Sequence, residues 1–191
     1  MSWPSFTTFR RKFNLVEETL FSQSIYSGRV VKLRVDTVRL PSGRHTKREV
    51  VEHSDCVAIV AVDADDNVLL VKQFRKPVET ELLEIPAGCI EPGEDPVVTV
   101  RRELREETGY LPKSIERIGG FYSTPGYCTE YLHLYLATDL IPDRLYAEDT
   151  ESIELVPVPL SQIPKLIASG SICDAKSIAG LLLYLASKKP G

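Results

Sequence analysis

The chain has 191 residues, 43% of them apolar and 26% charged, with a net charge of −4 and an isoelectric point near 5.5. That length carries one domain with or without a small extension, and the acidic balance excludes broad nucleic-acid binding, which needs a basic face. No apolar run reaches the roughly 18 residues of a membrane span, and no apolar leader opens the chain, so the expectation is a cytoplasmic protein that does not enter a membrane. Four cysteines, Cys56, Cys89, Cys128 and Cys173, show no CxxC spacing. This predicts neither a zinc site nor a disulfide framework, and free thiols suit a reducing compartment.

In chain order, Trp3, Phe6 and Phe9 beside Arg10, Arg11 and Lys12 read as a frayed terminus or a partner-packing segment rather than a membrane-surface helix. Residues 16–50 read as short strands. Val30 to Leu40 alternates apolar and polar as a half-buried strand does, Pro41-Ser42-Gly43 turns the chain, and Thr46 to Val51 returns. A sheet this small is marginal alone, so it must pack on the main domain or on a second subunit. Cys56 to Val62 is almost wholly apolar, the mark of a central strand, and Asp63 to Asn67 makes a hairpin loop from which Val68 to Phe74 returns.

A bent loop follows, with Pro86-Ala87-Gly88 and Pro92-Gly93, then a helix with unusually clear punctuation. Asp95 suits the cap, Pro96 the first turn and Gly109 a left-handed stop. Val97, Val100 and Leu104 form its apolar stripe. Ile115 to Tyr122 and Tyr131 to Ala137 read as strands, residues 138–151 as an acidic loop, and Ile153 to Val158 as a last strand. Ser161 to Ser169 and Ala175 to Ser187 read as helices. Strands flanked by helices predict an α/β sandwich with a mixed sheet, preceded by a small N-terminal antiparallel sheet.

The helix carries Glu103, Glu106 and Glu107 at i, i+3 and i+4, which places three carboxylates on one face. Two readings fit that spacing. Arg102 and Arg105 neutralise the glutamates as a solvated surface, or the oxygens collect a hard divalent cation that also shares substrate phosphates. The caps, the apolar stripe alongside and the preceding Gly/Pro loop favour the second, because they describe a helix packed on a core with its acidic edge in a cleft.

Gly88, Glu94, Arg102, Glu103, Leu104, Glu106, Glu107, Gly109 and Tyr110 match the pattern G-x5-E-x7-R-E-U-x-E-E-x-G-U, with U apolar or aromatic, at every defined position. The chain thereby resembles the Nudix hydrolases. Pro125-Gly126, with Pro125 16 residues past Gly109 and Glu130 following, is similar to the ADP-ribose pyrophosphatase subfamily. So are Val71 to Arg75, Glu84 to Gly88, Arg48 to His53 and Ile25 to Gly28. The likeness runs from about Glu18 to Leu185.

The resemblance implies a Nudix-type α/β/α sandwich over residues 51–191 and a β-rich segment over 1–50 that serves dimerisation and substrate contact. It implies hydrolysis of ADP-ribose to AMP and ribose 5-phosphate with Mg²⁺, or Mn²⁺ in its place, by a homodimer joined through the N-terminal sheet. The same chemistry on GDP-mannose, another nucleoside diphosphate sugar or a dinucleotide is the alternative; a non-catalytic ADP-ribose sensor is a remote one. Glu103 and Glu107 are the expected metal ligands from their spacing, with Glu106 a third; the family pattern adds the Ala87 carbonyl. Glu94 either orients Arg102 or ligates through water, and Arg102 braces the glutamates at the catalytic centre. The family's general base lies on an acidic loop after the helix, which here leaves Glu148, Asp149 and Glu151 as candidates. Arg75 and Arg48 resemble positions that contact phosphate or sugar, Arg48 being equally suited to a salt bridge. Glu130 suits ribose hydroxyls, Arg29 the adenine side, and Pro125 leaves room for the sugar.

Overall fold

The computed structural model describes residues 17–147 and 152–188. The aromatic and basic N-terminal segment and the three candidate bases, Glu148, Asp149 and Glu151, lie outside the described residues. The chain divides into two compact units. The first holds residues 1–53 with Gly126–Thr129, and the second holds Ser54–Pro125 with the chain from Glu130 onward.

In the first unit, β1 (Glu18–Ser27), β2 (Lys32–Arg39) and β3 (His45–Glu52) form an antiparallel meander. The β2 strand starts two residues later than its alternation suggests, because Gly28 donates its N–H to Val31 and closes a turn over Arg29 and Val30. The β2 strand buries Asp36 and Val38. The Asp36 carboxylate is kept below its ordinary range by a hydrogen bond from Ser22, with Arg34 adding to it, against the opposing effect of burial. All ten residues of β1 are exposed, among them Phe21, Ile25 and Tyr26.

The second unit is built on β4 (Cys56–Ala61), whose six residues are all buried. The strand pairs antiparallel with β7 (Ala87–Cys89) and parallel with β9 (Tyr131–Pro142), which pairs antiparallel with β8 (Tyr110–Tyr122). The result is a mixed sheet in the order β7-β4-β9-β8. A second, antiparallel sheet has β5 (Asn67–Arg75) between β10 (Glu154–Pro159) and β6 (Thr80–Glu84).

Period-two alternation sends the side chains of β4 to two different cores. Val57, Ile59 and Ala61 meet Val100 and Leu104 of helix α1 (Pro96–Glu107). Ala58 and Val60 meet Ile163 of α2 (Ile163–Ala168) and Leu181 and Tyr184 of α3 (Ala175–Lys188). A strand covered on both faces must be apolar throughout, which is why this one is. Each such large side chain contributes about 1.5–3 kcal/mol by leaving water. Among the described residues no helix is long and apolar enough to cross a membrane.

Several elements differ from the sequence expectation. Strand β8 begins at Tyr110, directly after the helix stop, and β9 runs on to Pro142, so the acidic loop is shorter than 138–151. Pro112 is tolerated because β8 is the edge strand of its sheet. Thr80–Glu84 and Ala87–Cys89, read as loop, are strands. Between them the Pro86 carbonyl accepts the Ile59 N–H at 2.9 Å, so the segment is stitched to the central strand.

Candidate active site

Helix α1 is positioned before its carboxylates matter. The Asp95 side chain accepts the Val97 N–H at 2.8 Å, Pro96 opens the first turn, and Gly109 sits at φ +81 with its N–H on the Leu104 carbonyl. These caps satisfy backbone groups that a helix end leaves open. Val100 and Leu104 then anchor the helix on β4. That rotation leaves Glu103 and Glu107 buried, at 8% and 6% exposure, with Glu106 half-buried beside them.

Arg102 is the brace. Its Nε and Nη2 each donate to Glu94 at 3.1 Å, Nη1 donates to Glu103 at 2.5 Å and reaches Glu106 at 3.4 Å, and Nη2 also donates to the Cys89 carbonyl. Glu94 further accepts the Glu91 N–H and the Thr99 hydroxyl. The Arg102 hydrogen bonds hold the Glu94 carboxyl down at about 2, against the opposing effect of burial. Glu94 is thus engaged by the protein itself, through Arg102, Thr99 and the Glu91 N–H.

Strand β7 supplies the opposing wall. Ile90 N–H to Asp55 C=O and Ile59 N–H to Pro86 C=O, both 2.9 Å, are hydrogen-bonded pairs of the β4–β7 ladder. By the alternation of antiparallel ladders, 56/89 and 58/87 are the non-bonded pairs, whose N–H and C=O groups point away from the partner strand. The Ala87 N–H accordingly donates to Glu107 at 3.2 Å, and the Ala87 carbonyl faces the same side. Gly88 lies against the Glu103 carboxylate with no room for a Cβ.

The electrostatics follow from this packing. Burial pushes the Glu103 carboxyl up to about 7, opposed by Arg102 and aided by Glu106. Burial and the neighbouring Glu103 push Glu107 up to about 8, opposed by the Ala87 N–H, Arg75 and Lys176. These residues fit a hard divalent cation: the donors are all oxygen, two carboxylates are held one helical turn apart out of water, and both gain from positive charge.

A pH effect results. A carboxyl raised above its ordinary range of about 4.5 supports folding fully below that value. The contribution is lost as pH rises through about 7 and 8, because the buried pair must then ionise. Without metal, the melting temperature is expected to fall between about pH 5 and pH 8.5, and added Mg²⁺ is expected to raise it more at pH 8.5 than at pH 5.5. Thermal unfolding monitored by circular dichroism, with and without Mg²⁺, measures this; a larger metal effect at the lower pH would contradict it.

Behind Glu107 lies a network that sequence reasoning missed. Glu84, 1% exposed, accepts from Arg75 Nε and Nη2 at 3.0 and 2.6 Å and from Lys176 Nζ at 2.5 Å. Burial alone would raise its carboxyl; the Arg75 and Lys176 contacts outweigh that and keep it lowered. Asp174 holds Lys176 at 2.9 Å and the Ser177 N–H, while the Ser177 hydroxyl accepts the Ile85 N–H. An acid inside the apolar run Leu82-Leu83-Glu84-Ile85 was the available signal for Glu84; nothing in sequence marked Lys176 or Asp174.

Of the residues expected at the site, Ala87, Glu94, Arg102, Glu103, Glu106 and Glu107 come together, with Arg75 acting on Glu107 electrostatically. Glu130, just ahead of β9, lies at the other end of β7, where its carboxylate hydrogen-bonds the Cys56 thiol. Pro125 is an exposed turn residue. Arg29 and Arg48 belong to the first unit. Arg29 is exposed in the β1–β2 turn, and Arg48 pairs with Glu17 through Nη2 at 2.5 Å and Nε at 3.1 Å.

The NUDIX domain family model matches residues 52–179, and the nucleoside diphosphate sugar hydrolase N-terminal domain matches residues 17–51. An ADP-ribose pyrophosphatase of Bacillus subtilis is 41% identical over 92% of this chain and 96% of its own length. A methanol dehydrogenase activator of Bacillus methanolicus is 42% identical over 85% of this chain and 89% of its own. A crystal structure of an ADP compounds hydrolase shares the fold, with a TM-score of 0.82 at 22% identity, over 90% of this chain and 93% of that one. With every defined position of the glutamate pattern filled and its carboxylates gathered on one helix, the chain belongs to the NUDIX family and is a Nudix hydrolase.

Proposed function

We propose that this enzyme hydrolyses the diphosphate linkage of ADP-ribose, using Mg²⁺ or Mn²⁺, to give AMP and ribose 5-phosphate. Water adds to one phosphorus, the bridging P–O bond breaks, and the bridging oxygen leaves with the other phosphate. The observation that carries this reading is the buried Glu103–Glu107 pair, braced by Arg102 and walled by β7. The likeness to a relative named for ADP-ribose supports the choice of substrate.

A bound divalent cation supplies charge neutralisation and a more acidic water. Glu103, Glu107 and the Ala87 carbonyl would hold it, with Glu106 at the rim. Arg102 fixes the Glu103 rotamer, and Arg75 and Lys176 favour the ionised form of Glu107. Glu148, Asp149 and Glu151 are the candidate bases, and Pro125 and Glu130 the candidate sugar contacts. For Arg29 and Arg48 a substrate role rests on the family resemblance alone.

The partner we infer is a second copy of this chain. The ten exposed residues of β1, with Phe21, Ile25 and Tyr26, present an apolar edge that a homodimer through residues 1–50 would cover. The hydrolase chemistry then belongs to residues 51–191. Four cysteines outside any disulfide are in keeping with a cytoplasmic setting.

A substrate panel tests the proposal. Metal-dependent release of AMP and ribose 5-phosphate from ADP-ribose, at kcat/KM at least tenfold above GDP-mannose and dinucleotides, is the expected outcome. Equal or better turnover of GDP-mannose would move the enzyme to the alternative substrate. Binding of ADP-ribose without AMP release would make the domain a sensor.

A further inference from the structure

Cys56 and Cys89 are 33 residues apart in sequence, yet they face each other across the β4–β7 ladder. They occupy a non-hydrogen-bonded pair, fixed by the flanking Asp55–Ile90 and Ile59–Pro86 hydrogen bonds. Such pairs bring Cα atoms to about 4.5 Å, inside the range that a disulfide spans. The two Sγ atoms stand 3.0 Å apart. Cys56 is buried in the core and Cys89 is exposed, so a reagent from solvent reaches one sulfur while the other waits behind it.

We propose that Cys56 and Cys89 are a modification site, an oxidisable dithiol that closes to a reversible cross-strand disulfide and thereby slows the hydrolase. The reagent is a peroxide. The Cys89 thiolate attacks the peroxide oxygen and becomes a sulfenic acid, with the O–O bond broken and an alcohol or water released. The Cys56 sulfur then attacks the sulfenic sulfur, the S–S bond forms, and the hydroxyl leaves with a proton as water. Both thiol sulfurs are oxidised by one electron each, and the peroxide takes up both electrons.

The coupling to turnover rests on the active-site reading above. Closing 3.0 Å to a bond of about 2.05 Å draws β7 toward β4 by up to about 1 Å. The moved strand carries the Cys89 carbonyl that accepts from Arg102, the Gly88 backbone that abuts Glu103, and the Ala87 N–H on Glu107. A displacement of that size in positioning groups costs up to about 10²-fold in rate.

The test treats the reduced full-length protein with a small excess of hydrogen peroxide. Free thiols are counted, peptides are mapped by mass spectrometry, and ADP-ribose hydrolysis is assayed before and after dithiothreitol. Two of the four thiols are expected to disappear into a 56–89 crosslink, with turnover at least about tenfold lower and restored by reduction. Cys56→Ala is expected to hydrolyse at the parental rate and to form no crosslink. Cys89→Ser, at an exposed position, repeats the crosslink test without risk to the core. Four persisting thiols, a crosslink involving Cys128 or Cys173, or irreversible over-oxidation would overturn the proposal, and so would a 56–89 crosslink without loss of rate. Thiol count and peptide map need no substrate, so they separate failure of this proposal from failure of the substrate assignment.

Discussion

Glu107→Gln is expected to lower turnover by more than about 10²-fold while leaving the metal-free protein at least as stable as the parent. Removing groups that merely support a metal ligand costs about 10–100-fold, and a ligand itself costs more. The glutamine is isosteric and its carbonyl still accepts the Ala87 N–H, so packing is kept. It also removes a buried carboxyl that burial and Glu103 push up to about 8. Above that pH the parent carries a buried charge that the variant lacks, so the metal-free melting temperature should rise, not fall. A steady-state assay at saturating Mg²⁺ and a paired melting curve measure both effects. Near-parental turnover would remove Glu107 from the metal site; an unfolded variant would make the residue structural.

Gly88→Ala separates site from scaffold in the same way. A methyl at this position lands within the Glu103 carboxylate. The backbone of Gly88 is not in the left-handed region, so alanine itself is unstrained there. The clash is with the far end of a flexible side chain, which can rotate aside at little cost to the fold. That rotation breaks the Arg102 contact and misplaces a carboxylate proposed to hold the metal. We expect about 10²-fold loss of kcat/KM with a melting temperature within a few degrees of the parent. Parental activity would show that Glu103 does not need its observed rotamer.

Much of this arrangement was legible before the fold. Asp95, Pro96 and Gly109 bracket the helix because capping is chemistry local to a few residues, and the structure places each in its expected role. The apolar stretch from Cys56 identified the central strand because both its faces are covered. Arg102 was expected beside the glutamates, and it donates to Glu103 and Glu106 of its own helix. What stayed hidden is long-range. Glu84 meets Lys176 across 92 residues, and Cys56 meets Cys89 through the register of two strands, one only three residues long. No local periodicity reports such a register. The segment between Glu84 and Cys89 looked like loop because its strands are short and interrupted by Pro86, and its pairing is set by β4 and β5. The N-terminal start of β2 slipped because a Gly28 turn outranks the alternation that follows it.

Two buried glutamates one helical turn apart, walled by β7, are proposed to hold a divalent cation. Titration of the metal-free enzyme with Mn²⁺, following free ion by electron paramagnetic resonance, reads that directly. The parent is expected to deplete the free-ion signal, and Glu103→Gln and Glu107→Gln are each expected to weaken binding by at least about tenfold. A parent that leaves the signal untouched with and without nucleotide, or variants that bind as tightly as the parent, would contradict it.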